Sequence, residues 1–420
     1  MRNSSPLKLL LVLSLVMLME IFAYQTLMDW SRNLKSPYKQ IFTITYISLA
    51  IGFWIFMFAF PILRTFTTYP TLKAVISIII MAFAFAKIMM AGIASIDYFK
   101  RLIAYIITFF YAKDAAPQMV TDAMSRSTFI RNLAIGAGGT LFGMVLYGST
   151  NRYNYLVRNV KVPIPNLPDD LAKLKIVQIS DIHSGSFTDK NAVLKGIQKI
   201  NALQPDIIFF TGDLVNNVAT EMHDYIDVFS QLKAPLGVFS TLGNHDYGDY
   251  AEWDSKEAKQ QNLQDLKNTH TKLGWHLMLN ENKILKIGNT ELAIIGVENI
   301  SGSKGFHTYG SLPIAYAGTE NVAHKILLSH DPSHWNTEVK NKYNDIQLTL
   351  SGHTHGMQFG IEIPGWIKWS PVKYIYAQWA GLYKENDCYI HVNRGFGFLG
   401  YPGRIGILPE ITHLQLVNNG

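Results

Sequence analysis

The sequence predicts an α/β domain, two β-sheets packed face to face with helices outside, preceded by an α-helical transmembrane region. Three observations predict it. Residues 1–150 carry 13 Lys and Arg, 5 Asp and Glu and no histidine, and they contain long apolar runs. All 13 histidines follow position 180. From Leu171 onward, short β-branched runs alternate with segments of helical spacing, the pattern of sheets covered by helices. The chain therefore divides into a multi-span region (1–150), a tether (151–170) and an α/β domain (171–420).

Four runs in the first part are each about 20 residues, enough for roughly 30 Å of hydrocarbon. They are Leu7 to Met28, Ile41 to Leu63, Leu72 to Ile96 and Phe129 to Tyr147. Leu102 to Ala112 is apolar but short, a fifth helix or an interfacial segment. No small-residue cleavage site follows the first run, so it stays uncleaved. Glu20 and Lys87 are charges inside these runs and suit an interhelical pair. Asn151 to Asp170 holds Pro163, Pro165 and Pro168 and is expected to be an extended tether.

In the second part, strands are expected at Leu174 to Ser180, Ile207 to Phe210, Val238 to Leu242, Lys283 to Ile287, Leu292 to Val297, Lys325 to Leu328, Ile346 to Leu350, Tyr389 to Val392 and Ile411 to Leu416. Helices are expected at Lys190 to Leu203 and Ser255 to Leu273. This part carries 24 basic and 26 acidic residues, so the net charge of +6 belongs to the membrane region. No basic surface with stacking aromatics stands out, which argues against nucleic-acid binding. Lys and Arg counts do not decide orientation. The stretch Ser125-Arg126-Ser127-Thr128-Phe129-Ile130-Arg131 resembles a degraded twin-arginine signal and tips the α/β domain to the extracytoplasmic side of the cell membrane. The single Cys388 fits either compartment.

Five blocks form a ladder of metal-ligating residue types. They are Asp181-Ile182-His183, Gly212-Asp213, Gly243-Asn244-His245-Asp246, Ser329-His330 and Gly352-His353-Thr354-His355, most of them just after an apolar run. Carboxylate, amide and imidazole ligands suit divalent metals that activate water. Asp-x-His and His-x-His would place both side chains on one face of an extended segment. A pair of metals also needs a shared carboxylate.

With these blocks and the ending Asn393-Arg394-Gly395-Phe396-Gly397, residues 171 to 417 resemble the calcineurin-like metallophosphoesterases, most closely their membrane-anchored bacterial branch. The resemblance implies a four-layer α/β/β/α sandwich with a dinuclear centre of Mn, Fe or Zn. It implies that Asp181, His183 and His355 bind one metal, that Asp213 bridges, and that Asn244, His330 and His353 bind the other. Where many relatives have Gly-Gly-Gln after the last histidine, this chain has Gly356-Met357-Gln358. The activity implied is phosphoester hydrolysis by a metal-bridging hydroxide attacking in line. His245 is expected as general acid or phosphate clamp, with Asp246 orienting and charging its imidazole. Arg394 suits either phosphate contact or a structural ion pair. His334 is the best ligand candidate among the remaining histidines.

The substrate readings are a lipid phosphate or pyrophosphate, such as UDP-diacylglucosamine, or soluble nucleotides and other small phosphoesters. A non-catalytic membrane scaffold or sensor is the third alternative. Trp366, Trp369, Tyr374, Tyr376, Trp379 and Tyr383, with Lys368 and Lys373, suggest a membrane-facing lip beside the site, or else a packed loop.

Overall fold

The computed structural model describes residues 6–63, 70–111, 116–303 and 305–418. The chain forms two compact units, 1–147 and 148–420.

The first unit consists of helices α1 (Pro6–Ser31), α2 (Ser36–Leu63), α3 (Pro70–Tyr111) and α4, which starts in this unit (Ala116–Thr150). Three stretches of the described residues are long and apolar enough to cross a membrane: Ser36–Phe56, Thr71–Ile106 and Ser127–Thr150. The first expected span lies on α1, 26 residues long, which is not among those three. The expected fifth segment is not a separate helix. Its residues 102–111 continue α3, a single helix of 42 residues, because no Gly or Pro lies between Ile96 and Leu102. Residue 112 lies outside the described residues. Glu20 on α1 pairs with Lys87 on α3 at 2.8 Å and accepts a hydrogen bond from Tyr46 on α2 at 2.7 Å. The buried Lys87 and half-buried Glu20 thus tie three helices together.

The second unit has fourteen strands among its described residues: β1 (Leu156–Ile164), β2 (Ile176–Ile179), β3 (Ile207–Phe210), β4 (Val238–Ser240), β5 (His276–Leu277), β6 (Glu281–Ile287), β7 (Thr290–Gly296), β8 (His324–Leu328), β9 (Leu348–Ser351), β10 (Ile361–Ile363), β11 (Ile367–Trp369), β12 (Gly381–Glu385), β13 (Cys388–Val392) and β14 (Glu410–Asn418). One sheet runs β1-β14-β2-β3-β4-β5, the other β12-β13-β9-β8-β7-β6, and β10 pairs with β11.

Side chains alternate across each strand, and the alternation sorts the core into layers. Ile176, Ile207 and Phe209 of the first sheet meet Ile294, Ile326, Leu328, Leu348 and Leu350 of the second. On the outer face of the first sheet, Val177, Ile179, Ile208 and Phe210 pack on Val193, Ile197 and Ile200 of the helix Lys190–Ala202 and on Leu266 of the helix Lys256–Lys272. On the outer face of the second sheet, Ile295, Leu327 and Ile390 pack on Leu312, Ala315, Trp335 and Val339. The result is the four-layer α/β/β/α sandwich.

Within the tether expected at 151–170, residues 156–164 form a strand. β1 pairs in parallel with β14 from Leu156↔Glu410 to Ile164↔Asn418. Pro163 fits because β1 is the edge of the sheet, where a missing N–H costs no ladder bond, and Pro165 and Pro168 follow the strand.

Candidate metal centre

Strands β2, β3 and β4 run parallel in one sheet, and β8 and β9 run parallel in the other. The ladder blocks follow the carboxyl ends of these five strands. In α/β sheets that edge is where loops meet to form binding sites.

Asp181 and His183 lie beyond β2, Asp213 beyond β3, Asn244 and His245 beyond β4, His330 beyond β8, and His353 and His355 beyond β9. The Asp-x-His and His-x-His blocks are not extended, contrary to the expectation from strand alternation. Asp181, His183, Asp213, His353 and His355 all have left-handed backbones, with φ of 51°, 48°, 61°, 73° and 50°. Each such conformation costs about 1–2 kcal/mol, and Asp and His tolerate it better than most residues. The turns send the side chains inward instead of along a strand face. Strain gathered at one spot marks a site whose geometry the surrounding structure imposes. Close approach matters as well: a Cβ at Gly352 would run into the Asp181 carboxylate, and one at Gly243 into the Asp213 carboxylate.

The ring nitrogens and carboxylates converge. His183 Nε2 lies 2.9 Å from His355 Nε2 and 3.5 Å from Asp213 Oδ2. His355 Nε2 is 3.3 Å from Asp181 Oδ1. His330 Nε2 is 3.2 Å from Asp213 Oδ2 and 3.2 Å from Asn244 Oδ1. His353 Nδ1 is 2.8 Å from Asn244 Oδ1 and 3.3 Å from His330 Nε2. Two groups, Asp181–His183–His355 and Asp181–Asp213–His330, each keep their ligand atoms within 4.8 Å of one another. All seven expected ligands therefore meet in one cluster, with Asp213 beside both His183 and His330.

Outer partners aim these ligands. His330 Nδ1–H donates to Thr211 O at 2.7 Å, which turns Nε2 into the cluster. Asn244 Nδ2 donates to the Tyr250 hydroxyl at 2.9 Å, so its Oδ1 faces the histidines. The other nitrogen of His353, Nε2, meets the Tyr376 hydroxyl at 2.8 Å.

Electrostatics show what the cluster is built for. Burial pushes His183 down to about 3 and His355 well below its usual range. Both are neutral, with lone pairs available. Burial also pushes Asp181 up to about 6, with Asp213 adding to the rise. For His330, burial acts downward, but Asp213 and Asp181 outweigh it and lift the imidazole to about 10. Burial would raise Asp213, yet the neighbouring histidines, His330 foremost, hold it well below the carboxylate range. Without a metal, a proton on His330 balances the Asp213 charge. Neutral imidazoles 2.9 Å apart beside carboxylates are a donor set that fits divalent cations.

His245 is half-exposed, whereas His183, Asp213 and His330 are buried. Its backbone N–H donates to Asp213 Oδ1 at 2.9 Å, and its Nδ1–H donates to Asn216 O at 2.7 Å. Asp246 is not the partner of this imidazole. Its carboxylate accepts from the backbone N–H of Asp213 (2.9 Å), Gly243 (2.8 Å), Leu214 (2.8 Å) and Val215 (3.3 Å). The short three-residue rise from Gly243 to Asp246 turns the carboxylate back into its own loop, away from the His245 ring. Arg394 is a structural ion pair, 2.6 Å from both Glu410 and Glu362. His334 bonds Ser329 Oγ at 2.8 Å and Glu338 at 3.2 Å, apart from the cluster.

Sequence reasoning missed Tyr250, Asn216 and Arg404. Tyr250 had a signal, an aromatic six residues after Asn244. Asn216 acts through its carbonyl, which no residue type reveals. Arg404 is fully buried, donates to the carbonyls of Arg394, Gly395 and Gly397, and lies 3.4 Å from His355 Nδ1.

Comparison with known proteins agrees with this geometry. Residues 174–357 match the family described as calcineurin-like phosphoesterase. Residues 4–152 match the one described as probable calcineurin-like phosphoesterase, transmembrane domain. A transmembrane protein with metallophosphoesterase domain from Danio rerio is 26% identical over 310 residues, covering 72% of this chain and 65% of that protein. The protein of that name from Bos taurus is 28% identical over 269 residues, covering 62% and 56%. An uncharacterized metallophosphoesterase from Helicobacter pylori (strain ATCC 700392 / 26695) is 26% identical over 391 residues, covering 88% and 98%. The chain thus spans less than two thirds of the two vertebrate relatives it matches.

Proposed function

Starting from a chain that joins a calcineurin-like phosphoesterase domain to a phosphoesterase transmembrane domain, we propose that it is a membrane-anchored, two-metal phosphoester hydrolase. The convergence of seven candidate ligands in one cluster, Asp213 among them and five of them with left-handed backbones, carries this reading. Asp181, His183 and His355 would hold one cation, Asn244, His330 and His353 the other, and Asp213 both. Bound divalent cations supply the Lewis acidity that activates water and offsets phosphoryl charge. Mixed oxygen and nitrogen ligands suit Mn, Fe or Zn.

The chain's own groups do the rest. His245, at the open side of the cluster, delivers a proton from Nε2 to the leaving oxygen. The Asn216 carbonyl fixes the ring by holding Nδ1–H. Asn244, oriented by Tyr250, keeps its oxygen on the cluster. A complete ligand set argues against a scaffold that only binds.

The finer reading is a lipid phosphoester or pyrophosphate such as UDP-diacylglucosamine, reached from a multi-pass position in the cell membrane with the domain outside the cytoplasm. The membrane helices on the same chain favour it. Turnover of a panel of phospholipids, nucleotide-linked lipids and soluble nucleotides by the full chain in nanodiscs tests it. Hydrolysis of bilayer substrates above soluble ones supports the lipid reading; the reverse order replaces it with a soluble-nucleotide phosphodiesterase.

A further inference from the structure

The hairpin β10–β11 exposes apolar side chains. Its register sets Ile361 opposite Trp369 and Ile363 opposite Ile367, so these four side chains share one face. On that face Ile361 is 47% exposed and Ile363 42%, while Ile367 and Trp369 are half-buried. The other face carries charge: Glu362 is half-buried, and Lys368 is exposed but reaches back to the domain with its ammonium group. Glu362 meets Arg158 and Arg394, each at 2.6 Å. Lys368 Nζ donates to Ala380 O and sits over the Trp379 and Tyr383 rings. A half-buried antiparallel ribbon in water is normally arranged the other way, apolar inside.

The turn extends the apolar face. Trp366 N–H donates to Ile363 O at 3.0 Å, and Gly365 takes φ of 76°, the position a tight Pro-Gly turn reserves for glycine. Trp366 stands at the tip, 77% exposed, and Tyr374 and Ile375 beyond it are 74% and 66% exposed. Exposed apolar side chains gathered this way mark a contact site.

A second observation says what it contacts. The apolar stretch Ser127–Thr150 qualifies as a membrane span. β1 begins six residues later, and its third residue is Arg158, the partner of Glu362. At the root of the hairpin, Gly360 N–H donates to Ile405 O at 2.9 Å, and the neighbouring Arg404 N–H donates to Gly148 O at 2.8 Å. Six extended residues reach at most about 21 Å, so the start of β1 stays within that reach of Thr150. Trp and Tyr with flanking lysines are the side chains of the headgroup layer; Lys373 lies 5.1 Å from the Tyr374 ring centre.

We propose that the outward face of this hairpin, Ile361, Ile363 and Trp366, with Tyr374 and Ile375, docks into the headgroup–acyl boundary of the bilayer that the chain itself spans. The occupant is a lipid surface. Tyr376, next to Ile375, bonds the metal-cluster residue His353, so docking sets the cluster close to headgroup phosphates. The contact does not depend on the substrate being a lipid.

The test uses the full chain in phosphatidylcholine–phosphatidylglycerol nanodiscs, with and without nitroxide-labelled lipid. A bimane fluorophore is placed at Trp366→Cys, at Tyr374→Cys, and at Lys283→Cys on β6 for comparison. The native Cys388 is buried and stays unlabelled. The expected result is quenching by nitroxide lipid several-fold stronger at 366 and 374 than at 283. Two positions guard against one substitution disturbing the fold. Quenching at 366 and 374 no stronger than at 283 overturns the proposal. Crosslinking of 366 between two chains in place of quenching assigns the face to a second copy and also overturns it.

Discussion

The Asp246 carboxylate holds the backbone N–H of Asp213 at 2.9 Å, so the residue after His245 braces Asp213 and not its neighbouring imidazole. Four buried N–H groups depend on that carboxylate. Asp246→Ala leaves them unpaired, at about 1–3 kcal/mol for each group that water cannot reach. The expected outcome is a lower melting temperature together with weaker metal binding, read by thermal unfolding and metal analysis. An unchanged melting temperature with an altered pH–rate profile would restore Asp246 to the role of charging His245.

His245→Ala removes the proposed acid but none of the seven ligands. It is expected to lower kcat by about 10²–10⁴, with metal content unchanged. A p-nitrophenyl ester, whose leaving group needs little protonation, should lose far less activity than an alkyl ester. Equal losses on both would show that His245 does not donate the proton.

Tyr376→Phe deletes one hydroxyl, the partner of His353 Nε2. Losing such an outer partner typically weakens metal binding or activity about 10–100-fold. Titration with Mn or Zn should show the weakening in one of two sites, with the fold intact by circular dichroism. Unaltered affinity and activity would mean the hydroxyl does not aim the imidazole.

The Arg394–Glu410 pair predicts a pH dependence. Burial pushes the Glu410 carboxyl up, but Arg394 and His391 outweigh it and bring it to about 2, against an ordinary 4.5. A carboxyl more acidic in the folded chain stabilises it above the unfolded value, and the contribution fades as pH falls through the folded one. Glu410→Gln should therefore be less stable at neutral pH, by about 1–3 kcal/mol, since Arg394 keeps its pair with Glu362 but loses its charged bond to Glu410. Urea unfolding should show the gap narrowing from pH 4.5 toward 2. A gap that stays constant there would contradict the assignment.

Much of this was legible because ligands must be side chains of particular types, and strand ends leave a sharp change from apolar to polar. Asp181, His183, Asp213, Asn244, His330, His353 and His355 all reach one cluster. Their backbone was not legible: nothing in Asp-Ile-His announces two left-handed residues, which tertiary contacts such as Asp181 N–H to Gly212 O impose. β1 was hidden by prolines that disfavour strands everywhere except at an edge, and only the assembled sheet shows which strand is the edge. Asp246 was misread because its partners are backbone groups some 30 residues away in sequence. The hairpin did leave a signal, Pro364-Gly365 between Ile361-Glu362-Ile363 and Ile367-Lys368-Trp369, a turn between two alternating runs.

The most direct test of the two-metal centre is metal content and phosphoester hydrolysis of the full chain and its Asp213→Asn variant, each measured before and after chelation. The account predicts two divalent ions per chain, loss of hydrolysis on chelation with recovery on readdition, and a variant that folds but neither holds both ions nor turns over substrate. Hydrolysis that survives both chelation and Asp213→Asn would contradict it.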